Sequence, residues 1–76
     1  MAQTVIGVIA EHSHDGKIKP LAIKWTDGHK YSVDRILDVR IAETPKMSGK
    51  GLRYTCRIHG KQVYLYHDNG QWFIES

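Results

Sequence analysis

Five histidines and a single cysteine are the first residues in this 76-residue chain to weigh for chemistry. His12-Ser13-His14 has H-x-H spacing, and on an extended strand both rings would project to one side. A third imidazole from another turn would complete a metal site. In a plain meander, turns alternate between ends, so His59 would share an end with His12 and His14. If residues 30–43 form one bent strand, that parity fails. The ligand set is incomplete from sequence, a solvated turn accounts for the pair, and no metal or cofactor is expected. For nucleophilic catalysis Cys56 would need a histidine beside it. Alternation instead turns it inward opposite Val63, where a thiol packs and stays inert. Asp15, Asp27 and Asp68 sit in turn signals, where aspartate has a local backbone role. No phosphate loop, Rossmann glycines or paired acids of a cleft appear. A chain this short also has little material for a deep pocket, so an enzyme is not expected.

The richer signal is RYTCRIHGKQVYLYHDNGQWFIE, residues 53–75. With His59-Gly60 as a two-residue turn, Ile58 pairs with Lys61, Cys56 with Val63 and Tyr54 with Leu65. Histidine tolerates positive φ, though Asn-Gly is the more favourable turn. Carried through Asn69-Gly70, the register sets Leu65 against Ile74 and His67 against Trp72. One face then holds Tyr54, Cys56, Ile58, Val63, Leu65, Trp72 and Ile74, the expected core. The other holds Arg53, Thr55, Arg57, Gln62, Tyr64, Tyr66 and Phe73. Cations between aromatics suit single-stranded nucleic acid, with bases stacked on rings and arginines on phosphates. Cross-strand aromatic pairs and arginine–tyrosine stacking also stabilise a sheet with no ligand. A third reading has another part of the chain, or a second subunit, packed on this face. Arg53, Arg57, Tyr64, Tyr66 and Phe73 are therefore the candidate binding residues, for a protein partner, self-association or nucleic acid. Lys46, Lys50 and Lys61 could add a basic rim, although loop charges of this kind usually serve solvation. A one-residue slip in either turn would exchange the faces.

Further turn signals at Asp15-Gly16 and Asp27-Gly28 divide the rest of the chain into short segments rich in Val, Ile, Tyr and Trp. Strand one is expected over about Thr4–Glu11. A second, about Lys17–Thr26, places Leu21, Ile23 and Trp25 on one face, and Pro20 suits an edge or a bulge. Over residues 30–43 the alternation breaks at Asp34-Arg35-Ile36. A bent strand, two strands with a tight turn, and a helical turn all fit. Thr44–Gly51 reads as a loop. Apolar residues make up 41% and charged residues 25%, ordinary for one globular domain spanning 1–76, and the net charge is +3. The apolar TVIGVIA is short, lacks a basic n-region and gives way to EHSHDGK, so no signal peptide or membrane span is expected. The lone cysteine excludes an internal disulfide and fits a reducing cytoplasm.

Two stretches, DGKIKPLAIKWTDGHKYSVDRI (residues 15–36) and RYTCRIHGKQVYLYHDNGQWFIE (residues 53–75), carry a resemblance. A DG turn, a Pro, an alternating strand ending in Trp, a second DG and Y-x-V, with the trailing W-F-I-E, resemble small uncharacterised bacterial proteins with an SH3-like β-barrel fold. What the resemblance implies is the fold alone: all-β, a small SH3-like barrel of about five to seven short antiparallel strands. Trp25, Tyr54, Val63, Leu65, Trp72 and Ile74 are expected in its core. The expected role is a non-enzymatic binding module.

Overall fold

Two turns of the same build shape the first hairpins. In the computed structural model, which describes residues 3–43, 50–68 and 70–75, the Gly16 N–H donates to the Ser13 carbonyl at 3.1 Å. Ser13 N–H donates to the Lys17 carbonyl at 2.9 Å. Gly28 and Trp25 repeat the pattern at 3.0 and 2.8 Å, with His29 as the closing residue. Asp15 and Asp27 each accept the backbone N–H two residues on, from Lys17 at 3.3 Å and His29 at 2.9 Å. These contacts hold both carboxyls below the usual carboxylate range, the Ser13 hydroxyl leading at Asp15 and the His29 N–H at Asp27. Gly28 sits at φ 90°, a conformation open to glycine at no steric cost. At the third hairpin His59 and Gly60 both take positive φ, 51° and 77°, as a type I′ turn requires.

The strands are β1 (Gln3–His12), β2 (Ile18–Lys24), β3 (Lys30–Glu43), β4 (Lys50–Ile58), β5 (Lys61–Asp68) and β6 (Gln71–Glu75). Each pairs antiparallel with the next, and β6 returns to β1, closing a six-stranded barrel. Of the loop expected over Thr44–Gly51, Lys50 and Gly51 open β4, and residues 44–49 lie outside the described residues. Among the described residues, no helix is long and apolar enough to cross a membrane.

Two strands serve two sheets each. β1 pairs with β6 through Gln3–Ile6 and with β2 from Gly7 to His12. β3 pairs with β2 only through Lys30–Ser32, and with β4 from Val33 onward. Of the three readings of residues 30–43, the bent strand is the one found. Bulges between Val33 and Arg35 and between Ile36 and Asp38 supply the bend, since an extra residue on one strand sharpens its twist. A third bulge lies in β2. Ala10 faces Pro20 and Ile9 faces Ala22, which leaves Leu21 unpaired and 41% exposed. Leu21 thus does not share the inward face of Ile23, as alternation alone predicts.

The register of β4, β5 and β6 is the expected one at every pair named above. Its inward residues Tyr54, Cys56, Ile58, Val63, Leu65, Trp72 and Ile74 join Ile6 and Ile23 in the core. Trp25 packs against that core while remaining half-buried. Tyr54 does more than fill space. Its hydroxyl donates to the Ile18 carbonyl at 2.7 Å, tying β4 to the start of β2 where β2 and β3 have already parted.

Candidate binding surfaces

The outward face of β4–β6 divides into two parts. Tyr66 and Phe73 are 7% and 4% exposed, so neither offers a ring to a stacking base. Barrel closure explains part of this: Phe73 lies between Tyr66 on β5 and Val5 on β1. The Tyr66 hydroxyl donates to Glu75 Oε1 at 3.4 Å, and burial, then the Glu75 charge, pushes its titration upward. The remaining part keeps Arg57 exposed, with Arg53 and Tyr64 half-buried. Arg53 lies over the Tyr64 ring at 5.1 Å, a cation–π contact within the protein.

The arginines extend beyond the residues that the sequence singled out. All four in the chain lie in the β3–β4 ladder as two directly opposed pairs, Arg35 with Arg57 and Arg40 with Arg53. Like charges facing across a ladder are destabilising. Asp38 relieves one of them, its carboxylate 2.6 Å from Arg40 Nε. Arg53 Nε is buried with no hydrogen-bond partner among the described residues. Of the expected basic rim, Lys61 is exposed and Lys46 lies outside the described residues.

A second surface was not anticipated. After Ser32, β3 pairs with β4 on one side and, among the described residues, with no strand on the other. Along this open edge Leu37, Val39 and Ile41 are 43%, 47% and 72% exposed. Alternation marks Val39 and Ile41 as inward, and they do pair with the inward Tyr54 and with Leu52. They stay uncovered because β2 has left the strand. A groove of about 420 Å³ runs beside them, lined by Gly16, Lys17, Ile18, Val39, Leu52 and Tyr54. Further down the same gap, a cleft includes Pro20, Leu21, Val33 and Ile36.

The histidines do not converge. Because residues 30–43 form one strand, His59 shares its end of the barrel with His29, not with His12 and His14. Tyr31 stands between His29 and His59, its ring centroid 6.4 and 6.2 Å from theirs. Among the described residues, no three His, Cys, Asp or Glu side chains group as metal ligands. His67 stacks on Trp72 at 4.4 Å. Burial lowers its pKa, Asp68 opposes that and His12 adds to it. Cys56 is fully buried, which pushes its thiol up to about 11. A thiol so protonated is a packing group, poorly suited to attack. Compared with protein-family models, curated proteins and solved structures, the chain finds no match.

Proposed function

We propose that the protein is a non-enzymatic binding module that works through protein–protein contact, and that the working surface is the open edge of β3. One observation carries this reading: a strand edge free of described partners from Val33 onward, bordered by Leu37, Val39 and Ile41 in the open. An edge of that kind offers unpaired backbone groups to an added strand and apolar side chains to hold it. The barrel itself we read as SH3-like, on its closure by six antiparallel strands and the two strands, β1 and β3, shared between sheets. A reducing cytoplasm suits its free, buried Cys56.

The test is a selection of displayed extended peptides on the intact protein, followed by amide titration. Binders with alternating apolar residues should shift amides across 34–42 and lose at least tenfold affinity on Ile41→Lys. Ile41 is 72% exposed, so this change spares the core. Binders whose shifts fall elsewhere would refute the assignment.

A second reading rests on the arginines. Two opposed arginine pairs, with Arg35 and Arg57 exposed, favour a polyanion, single-stranded nucleic acid among them. With Tyr66 and Phe73 buried, charge would supply most of that affinity. A mixed-sequence oligonucleotide should then shift Arg53, Arg57 and Tyr64 at low salt and release them as salt rises. No shifts at low salt would remove this reading.

A further inference from the structure

We infer that the partner strand at the β3 edge is a second copy of β3, joined antiparallel about a two-fold axis at Val39. The inference rests on the open-edge reading above and names its occupant. In an antiparallel ladder, residues directly opposed lie on the same face. Centred on Val39, the ladder sets Val39 against Val39, Asp38 of each copy against Arg40 of the other, and Leu37 near Ile41. In β3 Asp38 and Arg40 lie on the outward face, opposite Thr55 and Arg53, and Val39 lies on the inward one, opposite Tyr54. The ion pair that Arg40 and Asp38 form within each copy, at 2.6 Å, thereby becomes an alternating quartet across the axis. The uncovered Leu37, Val39 and Ile41 of both copies come together beside it.

Charge selects this register over its neighbours. A shift that keeps inward residues facing inward residues must move by two, because a slip of one exchanges the faces. One such shift sets Asp38 on Asp38 at the axis, and the other sets Arg40 on Arg40. Both place like charges in direct opposition. A two-fold interface must be self-complementary, and Asp38-Val39-Arg40 meets that condition in its own sequence. The bulge between Ile36 and Asp38 limits regular pairing on the far side, so the contact is short and the association weak.

Sedimentation equilibrium or light scattering across roughly 10 µM to 1 mM, the range of a small interface, tests this directly. The wild type should rise toward twice its monomer mass. Asp38→Arg leaves Arg40 facing arginine, and Arg40→Asp leaves Asp38 facing aspartate, so each variant alone should stay monomeric. An equimolar mixture of the two variants should associate again, because both cross-axis contacts are then attractive. Amide shifts on dilution should fall within 36–42. A wild type that stays monomeric throughout overturns the second copy. If selected peptides still shift 34–42, the edge reading survives that failure; if they do not, both fall. Association that ignores the charge variants places the interface elsewhere and also overturns the inference.

Discussion

Replacing Tyr54 by Phe removes one oxygen from a side chain that is 2% exposed, and the consequences can be worked from its contacts. The ring keeps its place beside Trp72, at 5.4 Å between centroids, so packing is preserved. What is lost is the hydroxyl's donation to the Ile18 carbonyl across 36 residues of chain. A hydrogen bond of this kind is worth about 1 kcal/mol net, and up to about 3 if its partner is left dry and unsatisfied. Ile18 borders the groove that also meets Val39, so water can reach its carbonyl. The cost should therefore stay near 1 kcal/mol, or about 4–8 °C in Tm for a domain of this size. Urea unfolding at constant m reads the total. Amide exchange reads the location: residues 18–20 should open more readily in the variant, while β4–β6 should follow global unfolding. A variant as stable as wild type, or one that loosens β4–β6 instead, would show that this contact does not hold the corner of the barrel.

Three further outcomes follow from single groups. The buried thiol of Cys56 titrates near 11 in the fold against 9.0 ordinarily. Its contribution is fully present below pH 9 and lost as pH climbs toward 11, about 2–3 kcal/mol in all. Cys56→Ala should be less stable at pH 8 and show a flatter alkaline limb, and parallel urea-derived profiles would refute the assignment. For His67 the sign reverses. Burial depresses its folded pKa, so the unfolded chain binds the proton more readily and stability is lost as pH falls through about 6.5. His67→Gln should flatten that acid limb, and an unchanged slope would place the acid sensitivity elsewhere. At the β4–β5 turn, a Cβ on Gly60 would meet nothing within 4 Å, so Gly60→Ala costs only its left-handed backbone, about 1 kcal/mol by thermal melt. His59→Asn should leave Tm equal or higher, since asparagine accepts that conformation more readily, and a loss would reveal a role for the imidazole beside Tyr31.

How much of this was legible depends on distance along the chain. The ladder from Tyr54 to Ile74 could be read residue by residue because two tight turns leave no freedom in register. The break at Asp34-Arg35-Ile36 was visible too, but pattern alone does not separate a bulge from a turn. The decision comes from the need of β3 to leave one sheet and join another, which no local window contains. Closure of β1 onto β6, which pairs residue 5 with residue 73, contributes to the burial of Phe73. The exposure of Val39 and Ile41 depends on β2 departing after three pairs. For Val39 and Ile41 the residue's own alternation was right, and the absence of a distant strand set the exposure.

The two sides of that gap are built differently, and the difference bears on what the edge is for. On β2, Pro20 removes one backbone donor, and Lys19 is exposed beside it. Lysine and proline are two of the means by which natural sheets discourage an added strand, and bulges are a third. On β3 neither lysine nor proline occurs in residues 34–42, where the two bulges are the device present. Of its four charges, Asp34 and Asp38 balance Arg35 and Arg40, so the segment carries no net repulsion toward another copy of itself. An edge protected only by charge would gain from charges of one sign, which hold identical chains apart. The alternation found here neutralises the edge while Leu37, Val39 and Ile41 stay uncovered. Such a segment is an aggregation hazard unless a strand covers it, and the second copy inferred above would supply that cover without like charges in opposition.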